Sequence, residues 1–258
     1  MCTLIIGDRI LGPGSVLLAA NRDEDPGRPS DPPGVLDEGP RIVGGRDRVA
    51  GGTWLAIRER RAMVAMLNRR ERESVTAPAA ERRSRGLVTL DVARAGAEAS
   101  AGEPVAEAAL VRAREIAASG AYAPFSLAFL SPEGSWVLAH EPGASPSVTP
   151  ISPGWHVLTH ADLDDPGEPR TARLMRELSG WTPRTVAEAE RGLIARLSEH
   201  DAPAVCIHAG RMVTVSSSIV VLGPSEGRYL HAEGRPCERP FEDLSRLLAP
   251  IGTPTRVA

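Results

Sequence analysis

Apolar runs of strand length come in groups along this chain, and that grouping constrains the fold more than any single residue. Cys2 to Ile6 and Ser15 to Ala20 open the chain as two short strands, with turn chemistry at Gly12-Pro13-Gly14 between them. Thr53 to Ile57 and Ala62 to Leu67 form another pair, turning near Glu59-Arg60. Two helical patterns follow. Leu87, Leu90, Val92 and Ala93 share one face, and Val105, Ala108, Ala109, Val111, Ala113 and Ile116 share another, with Pro104 suited to a first turn. Strands return at Phe125 to Leu130, Trp136 to Ala139 and His156 to Thr159, and helices at Arg170 to Leu178 and Val186 to Leu197. The chain closes with strands at Ala204 to His208, Val213 to Leu222 and Tyr229 to Ala232, and a last helix is expected near Glu242. The Pro/Gly-rich stretch Pro26 to Gly39 reads as a loop, and Arg69 to Arg83, without an apolar face, as a mobile loop or solvated helix. Strict strand–helix alternation would signal a doubly wound parallel sheet; this order instead predicts an α+β architecture, helices on mainly antiparallel sheets. A single domain over residues 1–258 is expected.

A chain of 258 residues can bury a substantial core without metal or disulfide staples. Its net charge of -3 carries no nucleic-acid footprint. All thirty basic residues are Arg, which excludes a lysine nucleophile or Schiff base and fits a GC-rich bacterial genome. Cys2, Cys206 and Cys237 do not space as a disulfide framework or a zinc motif, so a reducing compartment is expected. The first apolar run stops at Gly7-Asp8-Arg9, too short for a signal peptide, and no stretch approaches the roughly 20 apolar residues of a membrane span. The expectation is a cytoplasmic protein without a membrane span.

Cys2 is the most informative position for chemistry. Removal of Met1 would place a thiol and a free α-amine on one residue, and such an amine, with a pKa of roughly 7.7–8.0, can serve as the thiol's own base. The plainer reading is a Cys that simply starts a strand. Asn21-Arg22-Asp23-Glu24 ends the second strand, where it is either an ordinary turn or, if the first two strands are neighbours, a charged cluster beside Cys2. Asn68 ends a strand too: it is either an oxyanion donor or an Asn bonding nearby backbone. His160 closes a strand before the acidic turn Asp162-Asp164-Asp165, as an acid/base group, a donor or a structural residue. Cys206 and His208 share a strand face by the period of two, without a sequence partner that completes a metal or haem site. Ser216-Ser217-Ser218 lacks an obvious base, and no phosphate loop, G-x-S-x-G elbow or H-E-x-x-H motif is present.

Met1-Cys2-Thr3, Asn21-Arg22-Asp23-Glu24, Arg28-Pro29-Ser30, Gly45-Arg46-Asp47 and Gly51-Gly52-Thr53-Trp54-Leu55 occur in order, with Ser84-Arg85-Gly86-Leu87 opening a helix. Together they resemble the NRDE family, also called the transport and Golgi organisation protein family. The resemblance is strong over the first ninety residues and looser beyond, through Val157-Leu158-Thr159 and Ser217-Ser218. It implies an N-terminal-nucleophile (Ntn) hydrolase fold, an αββα sandwich of two mostly antiparallel sheets between helical layers. The opening is also similar to cysteine-type Ntn amidases, the penicillin V acylases and bile salt hydrolases. Asn21-Arg22-Asp23 matches their Asn-x-Asp segment, and Leu67-Asn68 matches their oxyanion Asn.

Three positions depart from those amidases. Ala20 stands where they carry Arg, their second active-site Asn falls near His160, and Val215 occupies the region of their late-strand Arg. The resemblance implies a cofactor-free amidohydrolase acting on a small-molecule acyl-amide. In it Cys2 is nucleophile, Arg22 and Asp23 hold it in register, and Asn68, with His160, stabilises the oxyanion. The second expectation is a non-catalytic protein that binds or traffics haem or a lipid-like acyl ligand, although only nine aromatic residues are available to stack on a porphyrin. A third, a Cys206/Cys237 redox protein, requires the two sulfurs to meet in space.

Overall fold

The structure is a computed structural model that describes residues 2–70, 83–95, 104–119, 122–224 and 227–248. Its first strands are β1 (Thr3–Asp8), β2 (Val16–Glu24), β3 (Ser30–Glu38), β4 (Arg41–Asp47), β5 (Leu55–Arg58) and β6 (Ala62–Asn68). Helices α1 (Arg85–Arg94) and α2 (Val105–Ala118) come next, then β7 (Phe125–Leu130), β8 (Trp136–His140), β9 (Ser147–Pro150) and β10 (Gly154–Leu158). Helices α3 (Pro169–Leu178) and α4 (Val186–Leu197) precede β11 (Val213–Leu222), β12 (Gly227–Glu233), the short β13 (Glu242–Asp243) and a 3-10 turn at Ser245–Leu248.

The strands form two antiparallel sheets, ordered β10-β1-β2-β11-β12-β13 and β3-β4-β5-β6-β7-β8-β9. Alternation along the strands sorts their side chains into layers. Leu4, Ile6, Leu18 and Val220 of the first sheet meet Val43, Leu55, Met63 and Ala65 of the second in a core between the sheets. On the far side of the first sheet, Ile5, Leu17, Ala19 and Ile219 pack against Leu174 and Leu178 of α3 and Leu193 and Leu197 of α4. On the far side of the second, Val64, Leu127 and Phe129 pack against Val88 and Val92 of α1 and Ala109 and Ile116 of α2. Four layers result, helix–sheet–sheet–helix, the α+β sandwich expected for an Ntn-hydrolase fold. Not every residue assigned to an apolar helix face is buried: Leu87 is 43% and Val111 52% exposed.

Several local expectations are corrected. The stretch Pro26 to Gly39 is not all loop, since β3 runs through it. β3 is the edge strand of its sheet, and its pairing with β4 shifts register between Asp31 and Gly34, where Pro32 and Pro33 lie. Proline lacks an amide donor and is tolerated at such an edge or bulge. Ala204 to His208 form no strand. Their backbone is held irregularly, with the Val205 and Cys206 amides donating to the Glu199 carbonyl and the Ile207 amide to Thr214 Oγ1. No helix starts at Glu242. β13 pairs with β12 there, and the Asp243 carboxylate accepts from the Ser245 amide, turning the chain into the 3-10 segment. β4 and β9 were not anticipated, and the strand expected from Thr53 begins at Leu55. Of the stretch Arg69 to Arg83, residues 71–82 lie outside the described residues.

Candidate active site

The antiparallel pairing of β1 and β2 sets Thr3 opposite Asn21, which brings the start of the chain beside the end of β2. Cys2 therefore lies against Asp23. The Asp23 amide donates to the Cys2 sulfur at 3.4 Å, and the thiol lies 3.6 Å from the Asp23 carbonyl oxygen. The thiol is half-buried against the inter-sheet core. Burial, reinforced by the Asp23 charge, pushes its pKa up to about 11. At neutral pH roughly one thiol in ten thousand is then ionised. Nucleophilic attack from this position requires a base that removes the proton in the step itself.

Asn21, Arg22 and Asp23 diverge because β2 alternates its faces. Arg22 follows Ala20, which lies in the inter-sheet core opposite Leu4 and Ser218, so its guanidinium stays on the side of the sheet that Cys2 packs against. Asn21 points the other way and is structural. Its amide donates to the Leu197 carbonyl at 2.8 Å and the Val205 carbonyl at 3.0 Å, and it accepts from Ser217 Oγ at 2.6 Å. The buried Asp23 carboxylate accepts from Thr214 Oγ1 at 2.7 Å. Arg170 in the first turn of α3 lies 3.8 Å from the other Asp23 oxygen and donates to Thr3 Oγ1 at 2.6 Å. Burial raises the Asp23 pKa, and the Thr214 hydrogen bond and the Arg170 charge oppose it.

A cavity of about 520 Å³ opens at this end of the sandwich. Cys2, Arg22, Asp23 and Asn68 all line it. Trp54, Leu55, Met66 and Tyr229 add apolar surface, and among the described residues the arginines Arg22, Arg28, Arg46, Arg83 and Arg85 line it together with the carboxylates Asp23, Glu24, Asp31, Asp47 and Glu233. The recurring sequence motifs build the wall. Arg28 pairs with Asp47 at 2.6 Å, and Asp47 Oδ1 accepts from the Val49 and Ala50 amides to shape the turn that leads to Gly52. Burial would raise the Asp47 pKa, but the Arg28 and backbone hydrogen bonds outweigh it and hold the carboxyl below its ordinary value. A Cβ on Gly52 would lie 2.2 Å from the Gly86 carbonyl carbon, so only glycine lets the Gly51-Gly52-Thr53 and Ser84-Arg85-Gly86 segments touch. The Thr53 amide then donates to the Gly86 carbonyl at 3.1 Å.

His160 does not line this cavity. It lines a second one of about 390 Å³ with Arg69, Arg70 and Glu168. Its Nε2 lies 3.2 Å from the Arg70 guanidinium, and burial followed by the Arg70 charge holds its pKa below the ordinary value. Among the expected site residues, then, Cys2, Arg22, Asp23 and Asn68 line the first cavity and His160 lines the second.

The sequence reading missed an array on the facing strands of the same cavity. Ser218 on β11 is directly opposite His231 on β12, with Ser218 Oγ 3.0 Å from His231 Nδ1 and His231 Nε2 3.2 Å from Glu233 Oε2. The Tyr229 side chain is buried beside them, and burial raises its phenol pKa. Burial holds His231 below its ordinary pKa, so the ring is neutral near pH 7. The carboxylate accepts only, which places the ring proton on Nε2 and leaves Nδ1 to accept from Ser218. Ser218, His231 and the exposed Glu233 thus form a hydrogen-bonded row along the cavity wall. The signal was present: Tyr229, His231 and Glu233 at a spacing of two share one strand face. The missing base of the Ser216-Ser217-Ser218 row is supplied by that neighbouring strand.

Comparison with solved structures shows the same architecture in known proteins. The N-acylethanolamine-hydrolyzing acid amidase ortholog of Caenorhabditis elegans superposes with a TM-score of 0.54 at 14% identity, covering 87% of this chain and 94% of that one. The C2A mutant of conjugated bile acid hydrolase from Clostridium perfringens gives 0.51 at 14%, covering 95% and 93%. Penicillin V acylase from Agrobacterium tumefaciens gives 0.53 at 12%, covering 96% and 88%. At such identities the likeness establishes the Ntn-hydrolase fold. No curated protein matches the sequence. The Transport and Golgi organisation 2 family matches residues 1–211, over the motifs that build the cavity wall, and the chain belongs to that family.

Proposed function

We propose that the protein is an Ntn-type amidohydrolase that cleaves the C–N bond of a small acyl-amide through Cys2. The observation that carries this reading is the Cys2 thiol held against Asp23 at the edge of a cavity that Arg22 and Asn68 also line. Removal of Met1 exposes the Cys2 α-amine. The amine takes the thiol proton as sulfur attacks the carbonyl carbon, and the resulting tetrahedral oxyanion is stabilised by the Asn68 amide, a donor with no proton to lose. The amine then returns the proton to the departing nitrogen, the C–N bond breaks, and a thioester remains. Water, deprotonated by the same amine, hydrolyses it and restores the thiol. Arg22 and Asp23 hold amine and thiol in register.

The cavity supports the substrate class. Among the described residues, arginines and carboxylates both line it, and its apolar residues suit an acyl chain. The test is turnover of an acyl-amide panel by wild type and Cys2→Ala. Loss of at least about 10³-fold in kcat is expected when a nucleophile is removed. Unchanged turnover in Cys2→Ala would overturn the mechanism. Residual turnover that vanishes only when Ser218→Ala is added would move the nucleophile to Ser218. A non-catalytic carrier of haem or a lipid-like acyl ligand would instead show saturable binding, a Soret shift in the case of haem, with no turnover in either protein.

A further inference from the structure

Behind the candidate active site, four soft or borderline metal donors converge on the loop that leads from α4 to β11. Cys206 Sγ lies 3.6 Å from Cys237 Sγ and 3.6 Å from His208 Nε2, and His208 Nε2 lies 3.1 Å from Cys237 Sγ. A ring nitrogen of His200, one of His208 and the Cys237 sulfur all lie within 4.8 Å of one another. These spacings have a specific meaning. With bonds of about 2.3 Å to sulfur and about 2.0–2.1 Å to nitrogen, a tetrahedral zinc ion holds two sulfurs about 3.8 Å apart and a sulfur and nitrogen about 3.5 Å apart. Cys206, Cys237 and His208 already form one face of such a tetrahedron.

We propose that Cys206, Cys237, His208 and His200 form a structural site for a divalent transition metal, and that zinc is the ion their Cys₂His₂ donor set fits. The ligand orientations support it. His208 Nδ1 faces the Glu238 carboxylate at 3.7 Å, which turns Nε2 toward both sulfurs. His200 Nδ1 lies 3.3 Å from the Ser198 carbonyl, which leaves its Nε2 as the metal-binding nitrogen. Such outer partners fix tautomer and ring direction in metal sites. His200 is exposed at the surface, with a ring nitrogen within 4.8 Å of those of His208 and Cys237, and is the fourth donor of the proposed set. Each thiol gives its proton to solvent as the metal–sulfur bond forms.

The site does not depend on the amidase reading, but its position gives it a purpose. Val205, next to Cys206, accepts from Asn21, while Thr214 Oγ1 accepts from the Ile207 amide and donates to Asp23. A metal clamp on Cys206 and His208 would therefore fix the irregular loop on which the Asn21 and Asp23 strand rests.

The full-length protein, reduced and stripped of metal with a chelator, is titrated with Co²⁺ alone. Wild type is expected to develop tetrahedral ligand-field bands and a thiolate-to-cobalt charge-transfer band, saturating at one ion per chain and displaced by Zn²⁺. Cys237→Ser and His208→Ala, both at exposed positions that spare the core, are expected to weaken binding by at least about tenfold each. Zinc should raise the thermal midpoint of wild type and leave that of Cys237→Ser unchanged. Absence of the charge-transfer band in reduced wild type would overturn the site, as would the same band and affinity in both variants. A Cys206–Cys237 disulfide that, once reduced, still takes up no cobalt would identify the pair as redox-active instead.

Discussion

Asn21 and Asp23 look interchangeable in sequence, two short polar residues ending one strand, yet they do different work. Asn21 spends every side-chain hydrogen-bonding direction the structure reveals on Leu197, Val205 and Ser217, tying the end of α4 and the following loop to the sheet. Asn21→Ala leaves three buried groups without a partner, and at about 1 kcal/mol or more apiece the expected loss of unfolding free energy is roughly 3 kcal/mol. Urea denaturation checks it; a loss under about 1 kcal/mol would show the loop to be held by other contacts. Asp23 lies against the Cys2 thiol, and the sequence pointed to it through strand order and the Asn-x-Asp resemblance together. What the sequence could not supply were partners far along the chain. Arg170 reaches Thr3 across 167 residues. His231 meets Ser218 only because β11 and β12 pair in one register. His160 ends its strand as a catalytic group would, but its side chain lines the second cavity, with Nε2 3.2 Å from the Arg70 guanidinium, a partner the sequence did not announce.

At the scale of elements, periodicity served well where a segment was buried on one face and poorly where an edge or a side chain set the structure. β3 was illegible because its two prolines read as loop, although an edge strand tolerates them. Helix α4 was legible from its apolar spacing, and its start is reinforced by Thr185, whose hydroxyl accepts from the Glu188 amide at 3.1 Å. The turn after β10 is closed by an ion pair, His156 Nδ1 to Asp164 Oδ2 at 2.6 Å, while Asp164 Oδ1 accepts from the Val157 amide at 2.7 Å.

Burial lowers the His156 pKa, but the hydrogen bond from the ring to Asp164, the Ser152 carbonyl and the Asp8 charge outweigh it, and the folded value is raised. A raised imidazole stabilises the fold fully below its unfolded pKa of about 6.5, and that stabilisation is lost as pH rises through the folded value. Asp164→Asn keeps the shape and tolerates the positive φ of 57° at this position. It is expected to cost about 1 kcal/mol below pH 6.5, with the gap from wild type closing at higher pH. Thermal midpoints of the two proteins across pH check this; a gap independent of pH would contradict it.

Over the whole molecule, the grouped strands and helices translate into four layers because each sheet has two apolar faces to cover and each helix pair covers one. The core between the sheets gives way to a cavity at the end where β1 begins and β2 and β6 finish, and the family motifs cluster at its mouth. Among the described residues no helix is long and apolar enough to cross a membrane. The layered fold was legible from the order of elements and from the motif resemblance together, whereas the cavity required the packing of both sheets.

The central claim is that Cys2 becomes the chain's first residue and carries the acyl group. Mass spectrometry of the protein quenched during turnover of an acyl-amide tests it most directly. The account predicts an N-terminal peptide that begins at Cys2 without Met1 and is heavier by the acyl group. Turnover by a protein that retains Met1, with no adduct on Cys2, would contradict it.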